Sequence, residues 1–317
     1  MDNKARYREL CRQETSIPIF SQDWWLDTVC GTDRWEVLIV EQKGRIRAAM
    51  PLYVPHAGIV SMPAYTQTMG PWFAPVAADM KYTVRLSERQ QLCGELIRQL
   101  SDYPHFYQHF HFDFTDWLPF YWAGYTQMTR YTYRFPELRD LDRLWQEMRP
   151  NIRRNIQKAQ ERHQIEVRPG VTPEAFLQIQ RQTFQRQHRT VPQSEQVLCD
   201  LIRVCRERGQ GEIWGGFDPQ GHLHAAAFVV WQPSSAWYLA GGGDPALRES
   251  GAHSLVLWEA IQAVRSHTNQ FDFEGSMLPG VERFFREFGA LQTPYYAITK
   301  GKLSLLHRAW LKLRERI

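Results

Sequence analysis

The sequence predicts an α/β protein of two similar halves, each with a mixed sheet. Three observations carry this: a hairpin pattern that recurs in the second half, strands alternating with helices after each copy, and a length of 317 residues, enough for two cores.

Residues 36–54 (EVLIVEQKGRIRAAMPLYV) are two β-rich runs joined by a Lys-Gly turn, which is a hairpin signal. Residues 212–231 (EIWGGFDPQGHLHAAAFVVW) repeat the plan. Gly221-His222-Leu223-His224-Ala225-Ala226 stands where the first copy has Gly44-Arg45-Ile46-Arg47-Ala48-Ala49. Ile46 and Leu223, each between polar neighbours, keep the period of two in register, so the repeat reads as an internal duplication. After the first hairpin come a Pro-, Gly- and aromatic-rich loop (MPAYTQTMGPWFAP), a helix near 87–102, a strand near 107–114 and a closing strand near 128–135. Residues 140–163 read as a linker helix, with Pro150 starting a new segment or bending the old one. The boundary is placed here, giving halves 1–139 and 140–317. After the second hairpin come a strand near 235–241, a helix near 251–267 and the strand FDFEGS. The last segment sets Leu303, Leu306, Trp310, Leu313 and Ile317 at helical spacing among basic residues, an amphipathic terminal helix over 303–316 expected to pack on the second half or to rest on an anionic membrane.

Composition narrows the function. The hydrophobic fraction of 43% and charged fraction of 23% are those of an ordinary globular protein, and a net charge of +4 is too balanced to announce nucleic-acid binding. Five scattered cysteines lack any CxxC spacing and read as reduced thiols. The charged start MDNKARYRELCRQE lacks the apolar core of a secretion signal, and no apolar run reaches membrane-spanning length. The expectation is a cytoplasmic protein, with peripheral membrane contact as an option.

The richest stretch for chemistry is GGGDPALRESGAHSLVLWEAI, a Gly-rich strand end leading into a helix. Its glycines let backbone N–H groups approach an anion, and the helix N-terminus adds partial positive charge. The same glycines also suit a tight turn that merely ends a strand. In Phe271-Asp272-Phe273-Glu274, alternation puts both carboxylates on one face. Either can take a proton from an attacking amine, or serve as a solvated face or helix cap. Arg283 and Arg286 lie one turn apart on the next helix, and Tyr295 and Tyr296 begin the following strand. A cation there can stabilise an oxyanion and a tyrosine can protonate a leaving thiolate. His105, His109 and His111, and His222 with His224, lack a completing Asp, Glu or Cys, so no metal is assigned. Ser276 lies in no GxSxG elbow, and no cysteine has an evident histidine partner. Arg149, Arg153, Arg154, Lys158 and Arg162 form a basic run on the linker, a solvated face or a surface for phosphate.

Together these residues resemble the GNAT-fold acyltransferases, and specifically the tandem-GNAT group that includes the FemAB peptidoglycan aminoacyltransferases. The resemblance spans nearly the whole chain. It is most specific in the MPLY hairpin with QTMGPWF, the RRNIQKA linker, RESGAHSLVLWEAI, and FDFEGS leading to ERFFREFG and PYYAITK. It implies two GNAT-like domains, each a mixed, mostly antiparallel sheet flanked by helices, with the active cleft in the second. Arg248 and Gly251 match the first two fixed positions of the family's pyrophosphate pattern [QR]xxGx[GA], and His253 departs from the last. Phe284, Phe288 and Gly289 match an FKxGFG-like motif whose lysine position is Phe285 here, with Arg286 put forward as its substitute.

The mechanism implied is direct attack of a neutral amine on a thioester or aminoacyl ester, with no covalent enzyme intermediate. Glu274 is the expected proton acceptor, Tyr296 the acid and Arg286 the oxyanion partner. Gly242, Gly243, Arg248, Gly251, Ala252 and His253 form the expected donor phosphate site. Acyl-CoA is the favoured donor over aminoacyl-tRNA, and the acceptor is an amine, in such families often on a cell-envelope or glycan precursor. Two rivals are a non-catalytic relative that binds a ligand in the same cleft and an RNA-binding adaptor using the linker arginines.

Overall fold

Lys43 and Gly44 both take positive φ (51° and 73°), the left-handed pair that a two-residue hairpin turn demands. In the computed structural model, which describes residues 2–186 and 194–301, this turn joins β1 (Trp35–Gln42) to β2 (Arg45–His56) in antiparallel register. β3 (Ile59–Ser61) pairs antiparallel to β2, and β4 (Trp72–Phe73) pairs with β2 farther along. β5 (His105–Phe110) runs parallel to β3, and β6 (Thr126–Phe135) comes next in the chain. Helices α1 (Asn3–Gln13), α2 (Asp23–Cys30), α3 (Tyr82–Gln99) and α4 (Leu118–Trp122) complete this part of the chain.

The chain divides into two units. The first comprises residues up to Arg130 together with the stretch beginning at Pro294, and the second runs from Tyr131 to Thr293. The core of the first gathers Leu38, Met50, Leu92, Leu96, Phe106, Phe110 and Phe120 between the strands and α3.

In the second unit, α5 (Leu141–Glu147) precedes α6 (Pro150–Gln157), where Pro150 occupies the first turn and Ile152 and Ile156, one turn apart, enter the core. A π-helical turn over Lys158–Arg162 continues it. Next come β7 (Glu166–Pro169), α7 (Pro173–Arg186), α8 (Glu195–Glu207), β8 (Gly211–Phe217), β9 (Leu223–Gln232), β10 (Ser235–Gly243), α9 (Ala252–Ala263), β11 (Phe271–Asp272) and α10 (Pro279–Glu287). The sheet order is β6-β11-β10-β9-β8-β7, antiparallel except for the β10–β11 pair. β9 is buried on both faces, which explains its unbroken apolar run AAAFVVW. Small residues let helices approach on both sides. A Cβ on Gly216 would sit 2.9 Å from Val256 of α9, and one on Gly242 would sit 2.7 Å from Thr183 of α7. The final strand, β12 (Leu291–Lys300), pairs antiparallel to β5 from Tyr296 onward, within the first unit.

Each unit is thus a mixed, mostly antiparallel sheet flanked by helices, as expected, and both hairpins carry a bulge just before their turn, between Val40 and Glu41 and between Gly216 and Phe217. The expected strand FDFEGS is shorter: pairing stops at Asp272, because Glu274 and Gly275 turn to positive φ (59° each). Helices α1, α2, α7 and α8 had no counterpart in the sequence reading. The expected terminal helix 303–316 lies outside the described residues.

Candidate functional site

β10 keeps its parallel partner for only two residue pairs, Ala236 with Phe271 and Trp237 with Asp272. A bulge between Tyr238 and Ala240 then bends it, and from there to Gly243 its only strand partner among the described residues is β9. The edge facing β11 is left as a short run of strand without a ladder, which is a template for an extended, amide-bearing ligand.

Asp272 organises the groups beside this edge. Its carboxylate is fully buried, accepts the Thr132 hydroxyl and the Glu274 backbone N–H (2.7 Å), and lies 3.8 Å from the Arg134 guanidinium. A Cβ on Gly275 would sit 2.2 Å from the Tyr131 carbonyl, so only glycine passes there. These constraints fix the turn and present Glu274. Its Oε1 is buried without a hydrogen-bond partner. Burial, reinforced by the charge of Asp272, holds its carboxyl well above the usual range. A carboxylate so placed is a stronger base than a solvated one.

Tyr238 lies against Gly241, where a Cβ would fall 2.2 Å from the phenol oxygen, and that oxygen is 3.2 Å from Nε2 of His253. Burial, then the charge of Glu274, raises the Tyr238 pKa. Burial lowers that of His253 to about 4, the charge of Arg186 adds to this, and a bond to the Gly242 backbone works against it. The imidazole is therefore neutral near pH 7, and Nε2 accepts the Tyr238 O–H. The rings of Phe284 (5.5 Å from His253) and Phe285 (5.9 Å from Tyr238) complete an apolar, aromatic wall. Phe285, at the family's lysine position, is core-facing and adds no charge.

The glycine run has its own explanation. Gly242 abuts Ile179 and Thr183, and the Gly243 N–H donates to the Thr183 hydroxyl at 3.0 Å, so close packing of α7 accounts for these two residues. Beyond them, a 3-10 turn over Pro245–Ser250 leads to Gly251, with φ 78° and an added Cβ only 2.5 Å from the Asn155 carbonyl. Ala252 is buried at the start of α9, with its N–H on the Ser250 hydroxyl at 3.3 Å. Arg248 is exposed and makes no ion pair among the described residues.

The other expected residues stand elsewhere. Arg286 donates to Glu282 at 2.8 Å, and Glu282 also accepts the Tyr133 hydroxyl at 2.5 Å, so this guanidinium is held on its own helix. Tyr296 belongs to the first unit and packs against its core opposite Phe110. Sequence reasoning missed Tyr238 and the structural part of Asp272. The run AWYLAGGG, a large polar-tipped ring ahead of three glycines, was the available signal for Tyr238. No cysteine offers a thiolate: burial pushes Cys11, Cys93 and Cys205 each up to about 12. A surface recess of about 460 Å³, lined by Arg139, Arg265 and Ser266–Asn269, sits at the other ends of β10 and β11 from this cluster. No helix of the described residues is long and apolar enough to cross a membrane.

Residues 146–286 match a family described as acetyltransferase (GNAT) domain. A crystal structure of FemX resembles the whole chain at 12% identity, with a TM-score of 0.67 and coverage of 99% of both chains. L-PGS from Bacillus licheniformis aligns at 11% identity, with a TM-score of 0.54 over 99% of this chain and 98% of that one. A conserved protein of unknown function from Bacteroides thetaiotaomicron aligns at 10% identity, with a TM-score of 0.54 over 95% and 99%. No curated protein matches the sequence.

Proposed function

We propose, from the match of residues 146–286 to an acetyltransferase (GNAT) domain and the likeness in fold to FemX, that the second unit transfers an acyl group from acyl-CoA to an amine. The observation that carries this reading is the parting of β10 from β11 after two residue pairs, beside Glu274, whose Oε1 is buried without a hydrogen-bond partner. A CoA arm bears two amides in an extended chain, which suits the stretch of β10 without a ladder toward β11, from Tyr238 to Gly241. The anionic end of the donor is assigned to the turn of Arg248, Gly251, Ala252 and His253, ahead of the N-terminus of the twelve-residue α9.

In this reaction the amine nitrogen attacks the thioester carbonyl carbon, the C–S bond breaks, and an amide and a thiolate result. Glu274 takes the proton that the attacking nitrogen loses. The Tyr238 hydroxyl, which the second unit itself supplies beside Glu274, turns from His253 to hydrogen-bond the departing sulfur. That contact replaces the part expected of Tyr296. The apolar ring wall keeps water from competing for the acyl group. For the acceptor, a cell-envelope or glycan amine remains the favoured class.

A second reading, aminoacyl-tRNA as donor, has one observation in its favour. Arg149, Arg153, Arg154, Lys158 and Arg162 form no ion pair among the described residues, although twelve other arginines do. Calorimetric titration with CoA and with charged tRNA, on the wild type and on Arg248→Ala with Gly251→Asp, decides between them. CoA binding that the double variant loses supports the first reading. No CoA binding, with tRNA binding that weakens steeply with salt, overturns it.

A further inference from the structure

The first unit carries a polar cluster for which acyl transfer has no use. Along β5, Phe106, Gln108 and Phe110 are buried while His105, Tyr107 and His109 alternate with them on the opposite face. β12 pairs Ala297 with His109, so Tyr295, two residues earlier, shares that opposite face. Its ring centroid is 5.8 Å from that of His109. The Tyr107 hydroxyl meets His109 Nε2 at 2.7 Å, and His109 Nδ1 meets the Gln67 carbonyl at 3.1 Å. The carbonyl can only accept, so Nδ1 carries the proton and Nε2 accepts the phenol hydrogen. Burial first, then the nearby charge of Arg130, lowers the His109 pKa to about 4. The ring is neutral.

Arg130 is half-buried and donates through Nε to the Tyr295 hydroxyl at 3.1 Å. It forms no ion pair among the described residues. Of the other half-buried arginines, Arg8 lies 2.7 Å from Asp27, Arg47 2.6 Å from Glu88 and Arg206 2.5 Å from Glu212, while Arg85 and Arg153, like Arg130, form no ion pair among the described residues. A partly desolvated guanidinium among neutral rings is a charge awaiting a counter-ion.

We propose that Arg130, held by Tyr295 and bordered by the Tyr107–His109 pair, is the receptor of a carboxylate-binding site on the first unit. The planar fork fits a carboxylate with two parallel hydrogen bonds. One guanidinium beside a neutral imidazole balances a monoanion and leaves a phosphomonoester dianion with excess charge. The inference goes beyond acyl transfer and does not depend on it.

The test is an NMR titration of the full chain with N-acetylalanine, following the His109 imidazole, in the wild type, Arg130→Gln and Arg130→Lys. N-Acetylalanine amide and inorganic phosphate serve as comparisons. The expected result is a saturable His109 shift with the acid and none with the amide. Affinity falls at least about tenfold in Arg130→Gln and by less in Arg130→Lys, and the bound state has a raised His109 pKa because Arg130 is neutralised. No saturable shift in the wild type, an unchanged affinity in Arg130→Gln, or tighter binding of phosphate than of N-acetylalanine overturns the proposal. If Arg130→Gln does not fold, Arg130→Lys, which keeps the charge and loses the fork, replaces it: a reduced affinity supports the site and an unchanged one overturns it.

Discussion

Both units contain a parallel strand pair of the same extent, Ile59–Val60 with His105–Phe106 in the first and Ala236–Trp237 with Phe271–Asp272 in the second. Beyond these pairs the two units part ways. In the first unit the chain returns after β3, and Met69 bridges to Phe110, with its N–H on the His109 carbonyl at 2.6 Å and its carbonyl accepting the His111 N–H at 3.2 Å. Gly70 permits this approach, since a Cβ there would meet the Phe110 ring at 2.7 Å. The strand edge is thus filled by the protein's own backbone. In the second unit β10 runs on with no such partner among the described residues, and the turn after β11 points a raised-pKa carboxyl beside it. One unit thus has a self-occupied strand gap and the other a gap with no strand partner among the described residues, and the proposed acyl transfer uses the second.

The sharpest break of this comparison is Glu274→Gln. Turnover should fall about 10²–10⁴-fold with little change in donor KM, as for loss of a general base. Stability moves the other way. A carboxyl with a raised folded pKa binds more protons folded than unfolded, so it costs stability as pH climbs from the unfolded value through the folded one. Urea unfolding of Glu274→Gln against wild type should therefore show a variant advantage that grows with pH above about 4.5. A variant of full activity, or one less stable than wild type at pH 8, would remove Glu274 from the site.

Glycine changes probe the two gaps in parallel. Gly70→Ala and Gly251→Ala each force a side chain onto positive φ (92° and 78°) and into a close contact, at a cost of about 1–3 kcal/mol measured by denaturant titration. Only Gly251→Ala should also weaken CoA binding, because Gly70 serves the self-filled gap. Equal losses of CoA affinity would erase the distinction between the units.

Arg248→Ala should weaken CoA binding by about tenfold at low salt, and by less as salt rises, since the group is exposed. The smallest effect expected is on pH-dependent stability through His109 and His253. Both have folded pKa values lowered to about 4, so the folded state binds fewer protons than the unfolded one and loses stability as pH falls from about 6.5 towards 4. Replacing either with Gln should flatten the stability profile over that window, and replacing both should flatten it further.

Legibility in the sequence followed the range of the interactions. The two hairpins, Pro150 at a helix start and the helix ahead of Gly289 rest on turn chemistry and short periods, which neighbouring residues dictate. Glu274 was singled out by alternation within four residues, although its turn depends on Asp272, Thr132 and the Tyr131 carbonyl, two of them about 140 residues away. Tyr238 was not singled out, since its place beside His253 depends on a strand bulge that only the register with β9 reveals.

By itself the sequence determined the α/β class, the repeated hairpin and the residue types available for acyl transfer, because periodicity, turn residues and composition act locally. Tertiary structure alone decided that Arg286 is held by Glu282, that Tyr296 packs in the first unit and that Met69 fills one strand gap while the other has no strand partner among the described residues. Those outcomes depend on which distant groups come within hydrogen-bonding distance, and no local pattern in the chain encodes such a distance.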